Sequence, residues 1–262
     1  MSREEEQDSR ESGLAHAGGK VRLFVESELG AGLSLKPSPG QAHYLLRVMR
    51  AGAGDRLLLF NGRDGEWRAA IAAVSKRGCE FRCEARTQVQ SDVPDIWLAF
   101  APIKRTPADY VSQKATELGV RVLQPVITRR SVARRVNLER MRANAIEAAE
   151  QSGRLNVPEV RAPLELNALL QSWPDSRRMI FCDEGGEAPS IAGALAHARS
   201  AGGWGVLTGP EGGFDAGERA AIRSRSYVLP VSLGPRIMRA DTAALAALAV
   251  WQAVCGDWRD VL

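Results

Sequence analysis

The sequence predicts two domains: a mostly parallel α/β domain that follows a small β-barrel. Three observations lead to this fold class. The chain has 262 residues and is 45% hydrophobic, so it is long and apolar enough to divide into two domains. Short strand-like runs separated by turn residues continue as far as Val93. After Asp92-Val93-Pro94 the pattern changes to strands that alternate with helices, which is typical of a parallel sheet.

The first part of the chain is predicted to hold a tail and the barrel. Residues 1–19 are polar and acidic and end in Gly18-Gly19, so we predict a disordered tail. Within residues 20–93 we expect strands at 21–24, 56–60, 66–74 and 79–84 and one helix at 41–50. The turn residues at 61–65, between two apolar runs, indicate a hairpin. Many short strands with one helix favour a small barrel.

The second part, residues 94–262, is predicted to form the α/β domain. We expect strands at 96–102, 122–127, 179–182, 204–208 and 228–232, and helices at 106–118, 138–152, 190–199 and 241–254. The last helix contains residues 244–250, which are apolar on every face. Such a helix must be buried, either in the core or at a subunit interface.

Composition excludes several classes of protein. The longest apolar run, residues 243–251, is too short for a membrane helix, and the charged N-terminus is no signal peptide. We therefore expect no membrane association. The four cysteines form no CxxC pair and the three histidines are scattered, so we also expect no metal site. Reduced thiols then favour a cytoplasmic protein.

The charge distribution suggests a polyanionic partner. The formal net charge is +4, although the predicted tail is acidic. Residues 104–154 carry eleven basic and five acidic side chains. Arginine-rich segments of this kind favour contacts with a phosphate backbone. A basic surface that only keeps the protein soluble fits the charge equally well, so charge alone does not identify RNA.

Two glycine-containing loops follow predicted strands. The first comprises residues 207–214 and leads into Asp215 and Glu218, which have the spacing of a capping box. The second comprises residues 232–243, where we expect Asp241 or Thr242 to cap the last helix. Glycines at strand ends let a backbone approach a ligand closely, and we expect the two loops at adjacent strand ends. A tight turn without a ligand is the simpler interpretation of either loop alone.

The residues alone do not identify the ligand. The first loop has neither the GxGxxG pattern of a dinucleotide site nor the lysine of a P-loop. Two further segments, 113–119 and 150–154, are charged helix ends beside a glycine, and each alone is more typical of a solvated helix end than of a site. The residues alone therefore indicate a basic α/β domain with two glycine loops and no identified ligand.

Taken together, the motifs resemble the RsmE family of SPOUT methyltransferases, which methylate N3 of a uridine in 16S ribosomal RNA. The match covers nearly all of the chain after the tail. It is carried by residues 43–50, 60–62, 113–119, 150–154, 209–214 and 233–243 in this order. The chain departs from the family pattern at Asp241, where we expect glutamate, and in the extension 1–19, to which we assign no role.

The resemblance implies a PUA-like barrel for RNA, a SPOUT domain with a deep trefoil knot, and a homodimer that acts on 16S ribosomal RNA or the small ribosomal subunit. It also implies that S-adenosyl-L-methionine binds to the two loops. The residues that would hold it are Leu207, Thr208, Gly209, Pro210, Glu211, Gly212, Gly213, Ser232, Leu233, Gly234, Ile237 and Met238.

The chemistry of such a reaction suggests catalytic candidates. Arg236 and Arg239 are expected to stabilise developing negative charge, and Glu211 to accept a proton. Glu211 could instead only tie its loop, and for Asp241 we prefer helix capping to proton transfer. Two alternatives remain open: a non-catalytic RNA-binding or ribosome-assembly factor, and a SPOUT methyltransferase with another base specificity.

Overall fold

The computed structural model describes residues 21–75, 78–102, 105–133, 135–185, 188–198 and 202–260. The predicted tail 1–19 lies outside these ranges, as do Lys104 and Arg134 of the basic segment. The chain forms two compact units. One comprises Met1–Asp92 with Ala149–Asn156, and the other comprises Val93–Ala148 with Val157–Leu262.

The N-terminal unit is built on a five-stranded sheet with the order β1-β3-β4-β5-β2. The pairs β3–β4, β4–β5 and β2–β5 are antiparallel, and β1 runs parallel to β3. The predicted hairpin is confirmed, because residues 61–65 join β3 to β4. The strands are β1 (Arg22–Phe24), β2 (Ser34–Leu35), β3 (Arg56–Phe60), β4 (Glu66–Ser75) and β5 (Gly78–Gln88).

The predicted helix at 41–50 is present but divided. Helix α1 (Pro39–His43) begins with a capping box between Ser38 and Gln41 and continues into a π-helical turn, π1 (Tyr44–Val48). Leu45 is completely buried and anchors this segment in the N-terminal core. Strand β2 was not predicted, because two residues are too few to show an alternating pattern.

The C-terminal unit contains a parallel sheet with the order β12-β10-β11-β6-β7-β8, and β9 pairs with β7. The parallel sheet predicted for this half is confirmed. Strands β8 and β9 were missed because each has only two residues. The strands are β6 (Ile96–Phe100), β7 (Val122–Ile127), β8 (Glu159–Val160), β9 (Leu164–Glu165), β10 (Arg178–Cys182), β11 (Trp204–Thr208) and β12 (Val228–Val231).

Helices cover both faces of this sheet, as buried parallel strands require. Alternate strand residues point to opposite faces: Ile180 joins one core cluster and Phe181 the other. The first cluster includes residues of α2, α3, α5 and α7, and the second includes residues of α4 and α6. The helices are α2 (Arg105–Glu117), α3 (Leu138–Ser152), α4 (Leu166–Ser172), α5 (Ile191–His197), α6 (Ala216–Arg223) and α7 (Ala240–Cys255), followed by a 3₁₀ turn at Asp257–Asp260.

The last helix is buried on one face rather than on every face. Ala244, Leu248 and Trp251 of α7 lie in the core, whereas Ala246 and Val250 are only half-buried within the chain. Its predicted cap is wrong. Arg239 is the N-cap residue and its side chain makes no capping hydrogen bond. No helix in the described ranges is long and apolar enough to cross a bilayer.

The sheet order also corrects the expected placement of the two glycine loops. The first loop follows β11 and the second follows β12, but β10 lies between these strands. The loops are therefore not at adjacent strand ends. Because all three strands are parallel, their carboxyl ends lie at one edge of the sheet, and the end of β10 contributes to the same region.

Candidate active site

A pocket of about 670 Å³ lies at the carboxyl ends of β10, β11 and β12 and at the start of α7. Its volume falls within the range of roughly 300–1,000 Å³ that is usual for small-ligand sites. The structure brings most of the predicted cofactor residues together here. Those that line the pocket are Thr208, Gly209, Pro210, Glu211, Gly213, Ser232, Leu233, Gly234, Ile237 and Met238.

Two predicted cofactor residues do not line the pocket. Leu207 is completely buried and packs in the core cluster that contains α4 and α6. Gly212 is exposed at the tip of the first loop, where its carbonyl oxygen accepts a hydrogen bond of 2.8 Å from Nη1 of Arg130. The side chain of Leu207 therefore supports the sheet, while Gly212 lies on the outer side of its loop.

The glycines of the pocket are required for different reasons. Gly213 has a φ of 66°, and a Cβ atom there would overlap Oε1 of Glu184. Gly234 has a φ of 113°, and a Cβ atom there would meet nothing within 4 Å. At Gly209 a Cβ atom would lie 2.7 Å from the ring of Phe214, which belongs to the core. Only at Gly234 would an added side chain enter open space.

The end of β10 supplies pocket residues that the sequence analysis missed. Cys182, Asp183 and Glu184 all line the pocket. The available signal was an acidic pair directly after a predicted parallel strand, a position where ligand-binding groups are common in α/β folds. Glu184 is exposed, and its carboxylate lies against Gly213 of the first loop.

Asp183 is a buried carboxylate that ties β10 to α6. Its side chain is fully inaccessible and forms ion pairs with Arg219 and Arg223. The N–H of Gly185 also donates to Oδ1 over 3.1 Å. Burial alone would raise the pKa of Asp183, but the Gly185 N–H and the two guanidinium groups outweigh it and hold the pKa below its ordinary value. Asp183 is therefore ionised, and its charge is neutralised by α6.

Cys182 is not a thiolate. Burial raises the pKa of this half-buried thiol to about 12. The neutral thiol is a poor base and a poor nucleophile at neutral pH. Among the described residues, no group of three or more histidine, cysteine or acidic side chains is placed to hold a metal ion.

Two arginines that follow β7, Arg129 and Arg130, form hydrogen bonds that hold the first glycine loop and the start of α6. The N–H of Arg129 donates to Oε1 of the buried Glu218 over 2.8 Å, and its Nη1 contacts Oδ2 of Asp215 at 2.9 Å. Asp215 and Glu218 form the predicted capping box of α6, which is confirmed. The hydrogen bond from the Glu218 N–H, followed by the Arg129 guanidinium, lowers the pKa of Asp215. With the Arg130–Gly212 bond, these contacts fix the C-terminal part of the loop.

The predicted catalytic candidates Arg236, Arg239 and Glu211 all line the pocket and are exposed. No hydrogen bond or ion pair with another described residue engages any of their charged groups. Asp241 does not line the pocket, and its Oδ1 accepts the N–H of Thr242 over 2.7 Å inside the first turn of α7. The pocket thus presents two available guanidinium groups and the carboxylates of Glu184 and Glu211.

The remaining predicted segments lie elsewhere. In 113–119, Lys114 pairs with Glu117 at 2.7 Å, which raises the pKa of Lys114 chiefly through the hydrogen bond. In 150–154, Oε1 of Glu150 accepts the N–H of Phe24 over 2.9 Å, and the carbonyl oxygen of Arg154 accepts from Arg22 over 3.2 Å. Neither segment lines the pocket.

Comparison with known proteins finds RNA methyltransferases. A family model for an RNA methyltransferase domain matches residues 90–252, and a model for an RNA methyltransferase PUA domain matches residues 38–83. The chain is 31% identical to ribosomal RNA small subunit methyltransferase E of Rickettsia conorii, over 87% of this chain and 93% of the relative. It is also 31% identical to the protein of the same name from a Synechocystis strain, over 87% of this chain and 76% of the relative.

Solved structures with the same architecture contain a bound cofactor. Ribosomal RNA small subunit methyltransferase E from Neisseria gonorrhoeae, bound to S-adenosyl methionine, aligns with a TM-score of 0.81 and 27% identity, over 92% of this chain and 100% of the other. A methyltransferase from Legionella pneumophila with bound SAM aligns with a TM-score of 0.82 and 30% identity, over 91% and 99% of the two chains.

Proposed function

This chain belongs to the RsmE family of RNA methyltransferases, and we propose that it transfers a methyl group from S-adenosylmethionine to N3 of a uridine in 16S ribosomal RNA. The observation that carries the proposal is the pocket at three parallel strand ends, which combines two glycine loops with available arginines and carboxylates. The named relatives and the SAM-bound structural neighbours supply the substrate class and the cofactor.

The pocket residues fit S-adenosylmethionine. The cavity of about 670 Å³ is large enough for a nucleoside with an amino-acid tail. Open space at Gly234 lets a ligand approach the second loop, and the backbone of both loops offers N–H and C=O groups to its polar edges. We assign cofactor contacts to the predicted pocket-lining residues and add Glu184. When bound, the cofactor supplies an electrophilic methyl group on a sulfonium.

The target atom determines what the protein must do. N3 of uridine lies on the Watson–Crick edge, so the base must be unpaired or extruded to reach the pocket. The N3–H is a poor nucleophile until its proton leaves, and negative charge then develops on the two carbonyl oxygens of the base. The protein must therefore orient the base, accept a proton and stabilise an anion.

The charged residues of the pocket match these three tasks. We assign Arg236 and Arg239 to the carbonyl oxygens, because both guanidinium groups are exposed in the pocket and engaged by no described partner. We assign the N3 proton to the carboxylate of Glu211, which lies on the first loop. Asp183 is paired with two arginines and Cys182 holds its proton to about pH 12, so neither serves as the base.

We also propose a domain organisation, an oligomeric state and a location in the cell for this protein. Residues 20–93 would form the RNA-binding domain and residues 94–262 the methyltransferase domain with its trefoil knot. Leu245, Ala246 and Ala249 of α7 are half-buried and belong to no core cluster, and these apolar residues support a homodimer. A 16S ribosomal RNA or small-subunit substrate would imply a cytoplasmic protein.

A methyl-transfer assay tests the proposal against the non-catalytic alternative. Purified protein is incubated with methyl-labelled S-adenosylmethionine and either protein-free small-subunit RNA or the assembled subunit. We expect label in the RNA of at least one substrate, and calorimetric binding of one cofactor per chain without added metal. RNA binding without cofactor binding or label would favour an assembly factor and contradict the proposal.

A further inference from the structure

The N-terminal unit carries an exposed basic aromatic patch on the segment that runs from the last residue of α1 towards β3. It consists of His43, Tyr44, Arg47, Val48 and Arg50, all of which are exposed. Tyr44 is 41% exposed and Val48 62% exposed, although both are large and partly apolar. The basic aromatic patch lies within the range matched by the PUA-domain model.

The backbone beneath the patch is firmly anchored and locally unusual. Nε2 of Gln41 donates to the carbonyl oxygen of Phe24 over 2.7 Å, and Leu45 is completely buried. The N–H of Met49 bonds to the carbonyl oxygen of Tyr44, which forms the π-helical turn. Arg50 has a φ of 55°, the one positive value for a non-glycine among the described residues. Such geometry is costly and occurs preferentially at functional positions.

The positive charges of the two arginines in the patch are not neutralised by ion pairs with described residues. No acidic residue occurs between Lys36 and Ala51. The guanidinium groups of Arg47 and Arg50 form no hydrogen bond or ion pair with another described residue. Elsewhere in the unit, Arg56 pairs with Glu84 at 3.2 Å. The patch therefore combines an exposed aromatic ring with free cations on a fixed backbone.

We propose that the basic aromatic patch binds unpaired nucleotides of the RNA substrate, with a base stacked on Tyr44 and phosphates contacted by Arg47 and Arg50. Proteins recognise single-stranded RNA by stacking its bases on aromatic rings and by neutralising its backbone with arginine. The base pairs of a duplex are already stacked, so a duplex would use only the cationic part. This inference rests on the proposed function, because it takes RNA as the substrate.

The experiment measures binding of the full chain to a fluorescein-labelled ten-nucleotide oligouridine and to an RNA duplex of equal length. Stacking of one base on an aromatic side chain implies about a tenfold loss of single-strand affinity in Tyr44→Ala, whereas Tyr44→Phe keeps the ring and should bind like the wild type. Arg47→Ala should lower the slope of log affinity against log salt by about 0.7. Arg56→Ala, which loses the same charge from a residue already paired, is the matched control and should change neither quantity.

Either of two results would overturn the inference. One is wild-type affinity and salt dependence in both Tyr44→Ala and Arg47→Ala. The other is an equal loss of duplex and single-strand binding in Tyr44→Ala, which would indicate a general polyanion surface. Tyr44 and Arg47 are exposed, so we expect both variants to fold like the wild type, and equal thermal midpoints check this. Cofactor affinity and methyl transfer by the wild type separate failure of the patch from failure of the proposed function.

Discussion

Replacing Gly234 by alanine should separate the cost of a strained backbone from the loss of cofactor space. Gly234 has a φ of 113°, and an added Cβ atom would meet nothing within 4 Å in the pocket wall. The left-handed backbone should cost about 1–2 kcal/mol of folding free energy. Because the methyl group enters space that the cofactor would occupy, we expect the calorimetric Kd for S-adenosylmethionine to rise about tenfold or more, equivalent to about 1.4 kcal/mol.

Gly54→Ala is the matched control, because Gly54 has a φ of 93°, also faces open space, and lies outside the pocket. It should lose similar stability and keep the wild-type Kd. Gly209→Ala should differ from both, because its Cβ atom would lie 2.7 Å from the core ring of Phe214, and overpacking costs about 1–3 kcal/mol. Equal cofactor affinity in Gly234→Ala and the wild type would refute the placement of the cofactor at the second loop.

Three further predictions concern charged residues of the pocket. Asp183→Asn should lower stability by about 1–3 kcal/mol at neutral pH, since Arg219 and Arg223 are only partly buried. The lowered pKa of Asp183 means that its stabilisation is present above the unfolded value near pH 4 and is lost as pH falls through the folded value, so the variant should show a shallower acid decline in urea unfolding. Arg236→Ala should lower kcat more than it weakens cofactor binding if this arginine acts on transition-state charge; an effect on cofactor Kd alone would contradict that role. Glu211→Gln should lower kcat by about a hundredfold or more, whereas Glu184→Gln should mainly raise the cofactor Kd, and the reverse pattern would exchange the two roles.

The sequence predicted the elements whose patterns are long and regular. The five main strands of the parallel sheet and the capping box at Asp215 were readable from local residues. The spatial order of the strands was not, because sequence order does not state that β10 lies between β11 and β12. For this reason the contribution of Asp183 and Glu184 was missed, although the acidic pair was visible.

The error at the last helix has a local cause. Aspartate and threonine are preferred N-cap residues, so Asp241 and Thr242 were natural choices. The helix begins earlier, at Ala240, and Arg239 takes the N-cap position without a capping side chain. The first turn is stabilised instead by the contact of Asp241 with the Thr242 N–H, and tertiary packing of Ala244 and Leu248 outweighs the local preference.

Nucleoside mass spectrometry tests most directly whether the methyl group is transferred to N3 of uridine. Small-subunit RNA incubated with protein and S-adenosylmethionine is digested to nucleosides, while primer extension on the intact RNA locates the modified base. A methyl group on N3 blocks Watson–Crick pairing, so we expect N3-methyluridine together with a stop or misreading at one uridine. Another methylated nucleoside would contradict the base specificity, and no methylated nucleoside from either free RNA or assembled subunits would contradict the account as a whole.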